Sequence, residues 1–314
     1  MYLTENIIRS ATRKQDDNLS IIVVNDAQSD YVERLALAFP NHNFYIVQQL
    51  TGQSQQWDRP ISFENIKYYL YLDDLPIKYV DLVICFNRMN AFDGALHINH
   101  DYHVPMANID MASRNLKHQI PLKANLNIED PAVLDRRFGN VAVGSSDFIT
   151  ESWRATNQKL NATIDLPYKL INRKPDANKI LIDKAIPQEF VGELGIHLDN
   201  RFTHDPAEAA VYCHLFMSPS CLMIDCMASE IPVFAFDSID MSDYYQKELC
   251  YMVKEVNSVN SPTFLQEILA MEDRMKIAPR ARDYVLKKNS HEQFKNKWEN
   301  ILRYLSNSFY QRGI

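Results

Sequence analysis

Short, largely apolar runs that end on Asn, Asp or Arg are what most restrict the fold of this chain. "SIIVV" (20–24) stops at Asn25 and Asp26, "VDLVICF" (80–86) at Asn87 and Arg88, and "VPMANID" (104–110) closes on Asp110 itself. A strand with one wet face alternates apolar and polar residues, whereas one covered on both faces does not. Between these runs, "DYVERLALAF" (30–39) and "MNAFDGALHINHDYH" (89–103) place apolar side chains at helical spacing. Buried strands alternating with helices predict an α/β protein with a parallel sheet. Open sheets of this kind take ligands beyond the carboxyl ends of their strands. Asp26, Asn87, Arg88 and Asp110 are therefore candidate site residues.

With 314 residues and roughly 100–200 residues per domain, the chain should form two domains. "NFYIVQQ" (43–49) reads as a strand and "FENIKYYLYL" (63–72) as a helix. Periodicity fades over the polar, partly basic stretch 111–140, which holds Arg114, Lys117, Lys123, Arg136 and Arg137. "NVAVGSSDFITESW" (140–153) then gives strand, turn and helix, and the boundary is placed there, between 1–145 and 146–314. Beyond it, "YKLIN" (168–172) and "ELGIHLD" (193–199) read as strands, and "DANKILIDKAI" (176–186) and "DPAEAAVYC" (205–213) as helices. "HLFMS" (214–218) is expected to be the strand that enters the next motif. Helices are expected around 262–275, 279–287 and 290–308.

That motif is "SPSCLMIDCMASEIPVFAF" (218–236), in which a Met- and Cys-rich helix carries one carboxylate, Asp225. A helix beginning near Ser220 or Cys221 presents unsatisfied N–H groups and a partial positive charge, a ready anion site. Glycine numbers only 7 in the chain, so no glycine-rich phosphate loop is available. Ser218 and Ser220 can add hydroxyl donors, and Asp225 is suited to accept from a vicinal diol. Phosphate at the helix start with a diol on a carboxylate describes a nucleotide. The plainer alternative is that Ser220 only caps the helix and Asp225 is solvated.

Other patterns exclude more than they propose. The net charge of −7 leaves no broad electrostatic footprint for nucleic acid or a membrane surface. The 5 cysteines form no Cys-x-x-Cys pair, so they read as reduced, buried hydrophobes. His97, His100 and His103 recur every three residues, whereas zinc helices use i, i+4, so no metal site is assigned. The first twenty residues lack a signal peptide's continuous apolar core, and no window is apolar enough to cross a membrane. A cytoplasmic location is expected.

The segment "LGIHLDNRFTHDPAEAAVYCHLFMSPSCLMIDCMASEIPVFAF" resembles the donor-binding half of nucleotide-sugar glycosyltransferases of the GT-B fold, the group 1 family in particular. That family has a strand ending in Pro-Ser, then Glu-Ala-Met-Ala-x-Gly-x-Pro-Val-Val; here "AAVYCHLFMSPS" and "DCMASEIPVFAF" stand in those places. The tail "ARDYVLKKNSHEQFKNKWENILRYL" (281–305) resembles the family's closing helices. The likeness covers most of 140–305 and, in outline, the first domain.

The resemblance implies two Rossmann-like domains facing a cleft, with the C-terminal helix crossing back to the first. Residues 1–145 would be the acceptor side and 146–314 the nucleotide-sugar donor side. It implies donor contacts from Ser218, Ser220, Cys221, Asp225 and His197. The family's Arg and Lys that grip the diphosphate have no clear counterpart, and Arg173, Lys174, Lys179 and Lys184 are candidates by location only. Asn87, Arg88 and Arg114 fall on the acceptor side. Asp110 stands where relatives place a His against the donor sugar, which makes it the first candidate for a general base, with Asp26 second and His100 at the cleft. Two departures stand out: the first Glu of the family's acid pair falls near Met217, and Glu230 replaces a Gly. The expected activity is transfer of a sugar (hexosyl or pentosyl) from a nucleotide-sugar co-substrate, without cofactor or essential metal. The acceptor hydroxyl would belong to a glycan, lipid, protein or phage-type modified DNA base. The alternatives are a non-enzymatic GT-B-like scaffold and a sugar-nucleotide epimerase or hydrolase drawing on His197, His204 and Asp205.

Overall fold

The structure is a computed structural model that describes residues 3–14, 17–24, 29–49, 61–86, 92–111, 141–154, 162–184, 186, 188–216, 218–236, 239–253, 259–270 and 274–311. The chain divides into two compact units, Met1–Asp165 with Glu292–Ile314, and Leu166–His291.

The first unit is built on β1 (Ser20–Val24), β2 (Asn43–Gln49), β3 (Ile66–Tyr71), β4 (Leu82–Phe86), β5 (Met106–Asp110), β6 (Val141–Gly144) and β7 (Ala162–Thr163). They form one sheet in the order β3-β2-β1-β4-β5-β6-β7, parallel throughout. This is the doubly wound order, which reverses between β1 and β4. Every residue of β4 and β5 is buried, as their unbroken apolar runs require. Its helices are α1 (Leu3–Thr12), α2 (Ser29–Ala38), α3 (Phe92–Asp101) and α4 (Asp147–Arg154). Ile22, Val24, Val83 and Cys85 from the sheet pack with Ala95 and Ile98 of α3.

The second unit holds β8 (Lys179–Leu181), α5 (Gln188–Glu193), β9 (Phe202–Thr203), β10 (Ala209–His214), α6 (Cys221–Ala228), β11 (Val233–Phe236), α7 (Ser242–Gln246), β12 (Tyr251–Val253), α8 (Phe264–Ala270) and α9 (Arg274–Lys288). Its sheet runs β12-β11-β10-β8-β9, again parallel. Here the order reverses between β8 and β10, so the carboxyl ends of those two strands flank the switch point. The last helix, α10 (His291–Gln311), returns to the first unit from Glu292 onward. There Trp298, fully buried, donates from Nε1 to Tyr31 Oη at 3.0 Å. Phe294 and Phe86 meet the Tyr31 ring edge-on. Both units are Rossmann-like, and the C-terminal crossover is present.

Several expectations are corrected. The helix expected over 63–72 is the edge strand β3, pairing Phe44 with Ile66 through Gln49 with Tyr71; its tyrosines and Ile66 suit a pleated surface better than a helix. "DANKILIDKAI" gives β8, because Ile180, Leu181 and Ile182 are wholly buried. In "DPAEAAVYC" Asp205 does cap, accepting from Ala207 N, but only one 3-10 turn follows before β10 begins at Ala209. β10 therefore occupies 209–214, earlier than the expected strand at 214–218. "ELGIHLD" holds only the end of α5 and the loop beyond it. "YKLIN" joins no sheet, since Asp225 of α6 and Ser229 just beyond it take two of its backbone donors. The unit boundary lies beyond β7, not at 145, because β6 and β7 extend the first sheet.

Candidate functional site

Of the residues that flank the carboxyl ends of the strands, those after β10 are the best defined. Leaving β10 at His214, the chain turns through Ser218-Pro219-Ser220 into α6. The His214 ring is fully buried, and burial pushes its pKa down to about 4, so the imidazole is neutral. Its Nε2 lies 3.0 Å from the Ser218 carbonyl oxygen, which can only accept, so Nε2 carries the proton. Nδ1 then accepts from Tyr212 Oη at 3.2 Å. Ser218 Oγ donates to Asp240 Oδ2 at 2.6 Å. Ser220 is the N-cap of α6, accepting from Met223 N at 3.2 Å.

Asp225 is 6% exposed. Its Oδ1 accepts from the backbone N–H of Lys169 at 2.6 Å, while Ser229 Oγ accepts from Ile171 N at 2.8 Å. The segment 168–172 is thus pinned along α6 by side chains. Asp225 is neither solvated nor open to a diol through that oxygen. Two of the first donors of α6, Met223 N and Ile224 N, are satisfied by Ser220. Ser218 Oγ gives its proton to Asp240, and Ser220 Oγ accepts from the helix it caps. Cys221 opens the helix and is buried, like all five cysteines. Burial pushes the Cys213 thiol up to about 12 and Cys226 well above the thiol range, which removes them as nucleophiles.

Among the expected diphosphate cations, Arg173 falls beside α6. Its charge acts on Cys226, and its Nε is buried without a hydrogen-bond partner among the described residues. Lys174 and Lys179 are placed elsewhere. Lys174 pairs with Asp205 and Glu208, and Lys179 with Glu208. Lys179 lies opposite Ala209, at the amino end of β10; at about 3.3 Å per residue, that is roughly 16 Å from the carboxyl end. Their role is to hold Glu208, whose pKa falls to about 2 under the hydrogen bonds from Lys174, Lys179 and Thr203. His197 is exposed in the loop after α5, where its backbone N–H donates to Asn260 Oδ1 at 2.8 Å.

In the first unit, Asp110 ends β5, 1% exposed, and its Oδ2 accepts from Asn108 Nδ2 at 3.2 Å. Asn108 Oδ1 in turn accepts from Cys85 Sγ at 3.1 Å. Ser145 N donates to the Asp110 carbonyl at 3.0 Å, and the Ser145 hydroxyl beside it is buried without a partner. Gly144 faces Asp110 across the ladder. His100 lies in α3. Its neighbour His97 pairs at the surface with Asp101, 2.9 Å away. Asp26, Asn87, Arg88 and Arg114 lie outside the described residues. Among the described residues no group of three or more His, Cys, Asp or Glu is placed to hold a metal ion, and no helix is long and apolar enough to cross a membrane. Sequence reading missed Asp240 and His214; Asp240 carried no local signal, and His214 was read only as the start of a strand.

This architecture is the GT-B fold of glycosyltransferases. No family model matches the sequence, and no curated protein does. Solved structures match over nearly the whole chain. A sucrose-phosphate synthase from Thermosynechococcus elongatus is similar at TM-score 0.61 and 12% identity, covering 93% of this chain and 100% of that one. A glycosyltransferase from Rickettsia africae gives TM-score 0.53 at 12% identity over 92% and 98% of the two chains. The glycosyltransferase SnogD from Streptomyces nogalater gives 0.53 at 9%, covering 91% and 100%.

Proposed function

We propose that the protein is a glycosyltransferase that moves a sugar from a nucleotide-sugar donor to an acceptor hydroxyl. The observation that carries this reading is the end-to-end match of its fold to the glycosyltransferase structures. The turn after β10 supports it, since it lies at the switch point where such sheets take ligands. In this reading the second unit binds the donor, and Arg173 meets the charge that builds on the leaving diphosphate. Asp110 acts in the first unit as the base toward the acceptor, or as a contact to the transferred sugar. No metal is required, so a chelator should leave turnover unchanged. The net charge of −7 favours a glycan, lipid or protein acceptor over nucleic acid.

The test is release of the nucleotide leaving group, a diphosphate from UDP-, GDP- and ADP-linked sugars and CMP from CMP-linked ones, followed by product analysis. Asp110→Asn should lower turnover by about 100-fold or more, with donor affinity unchanged if Asp110 is the base and weakened if it contacts the sugar. A second reading, a GT-B-like binding protein without activity, is favoured by one observation: Ser218, Ser220 and Asp225 all spend hydrogen bonds within the chain. Donor binding without release of product, in wild type and Asp110→Asn alike, would select it.

A further inference from the structure

Ser218 has one hydroxyl proton, and it points at a buried carboxylate. Asp240 is 1% exposed, in the single 3-10 turn after β11, and its Oδ2 stands 2.6 Å from Ser218 Oγ. A carboxylate offers acceptors only, so the direction of this bond is fixed. The Ser218 main chain is fixed as well, because His214 Nε2 donates to its carbonyl. Ser218 is nonetheless partly exposed. Whatever reaches its hydroxyl therefore meets lone pairs and not a proton. Ionised phosphate oxygens are acceptors and gain nothing there. A sugar or ribose hydroxyl, or a base N–H, can donate.

We propose that Asp240 is a positioning residue that sets the polarity of this turn. It makes Ser218 an acceptor for a hydroxyl or N–H on the neutral part of the ligand and turns the site away from phosphate. The inference rests on the nucleotide-sugar reading and refines it: the turn after β10 recognises the nucleoside or sugar, and the diphosphate is held elsewhere.

The experiment is calorimetric titration of the four ribonucleosides, their diphosphates and inorganic pyrophosphate into wild type, Ser218→Ala and Asp240→Ala. Ser218→Ala should weaken the nucleoside that binds by about three- to tenfold, the worth of one ordinary hydrogen bond, and leave pyrophosphate unchanged. Asp240→Ala releases the Ser218 proton to turn outward, so nucleoside affinity should fall while pyrophosphate affinity rises several-fold. A packing defect would weaken both ligands together, and that result overturns the proposal. Ser218→Ala, a small change at a partly exposed side chain, keeps the test decisive should Asp240→Ala not fold. If a nucleoside diphosphate binds wild type and Ser218→Ala equally, the polarity assignment falls while the nucleotide-sugar reading stands. If no nucleoside or diphosphate binds wild type, both fall.

Discussion

Two buried polar residues of the second unit carry opposite lessons at the scale of single side chains. Asp225 belongs by sequence pattern to a ligand, yet it serves the chain by capturing Lys169 N. Removing the charged acceptor from this partly buried hydrogen bond costs about 1.5–3 kcal/mol. Asp225→Ala should therefore lower the urea unfolding free energy by about that amount, and Asp225→Asn, which keeps an acceptor oxygen, by clearly less. Equal losses would mean that this hydrogen bond is not what Asp225 contributes. His214 gives a pH signature. Burial lowers its pKa from 6.5 to about 4, so between those values the unfolded chain binds the extra proton. Stability then falls as pH falls through this window, by at most about 1.4 kcal/mol per unit. Subtracting the His214→Gln curve from wild type should isolate that slope below pH 6.5 and leave a flat difference above pH 7.

At the scale of elements, the end of α6 shows how a family pattern can be broken and its geometry kept. Ile231 N donates to Cys226 O at 2.8 Å and Glu230 N to Met227 O at 3.2 Å, the two bonds of a Schellman stop. That stop needs a left-handed residue, and Glu230 supplies it with φ of 56°, at a cost of about 1–2 kcal/mol for a side-chain-bearing residue. Its carboxylate reaches Arg282 at the surface, a pair worth about 0–1 kcal/mol. Glu230→Gly should relieve the strain, lose the pair and give up backbone entropy, for a net gain of up to about 1 kcal/mol. A higher urea midpoint is the expected result; a lower one would show that the ion pair outweighs the strain. The same element explains why "YKLIN" is not a strand: Asp225 and Ser229 offer its N–H groups what a neighbouring strand would have given.

At the scale of the whole molecule, the first unit is not contiguous in sequence. Its aromatic cluster joins Tyr31 and Phe86 to Phe294 and Trp298 of α10, so residues 3–165 depend on a helix that begins at residue 291. Truncating a fully buried Trp typically costs about 3–5 kcal/mol. Trp298→Ala should lose that much, and hydrogen exchange should rise in β1, β4 and α2 well before β10 and β11. Uniform loosening of both sheets would contradict the division into two units.

The sequence by itself determined the parallel α/β class, the doubly buried strands β1, β2, β4 and β5, the start of α6 near Ser220 or Cys221 and the returning tail. These follow from local rules: an apolar run covered on both faces, a serine cap, a helical period. It misread β3, β8 and β10, where short apolar runs of strand and helix look alike and only pairing with β2, or with one another, decides. The candidate site was legible as a place but not as chemistry. Only the tertiary structure set Asp225 against a backbone 56 residues away, Ser218 against Asp240, and Lys174 and Lys179 against Glu208 at the amino end of β10. The physical reason is that a hydroxyl has one proton and each carboxylate oxygen only a few close neighbours. Which group receives them is fixed by what the fold packs alongside, and local pattern carries no record of that.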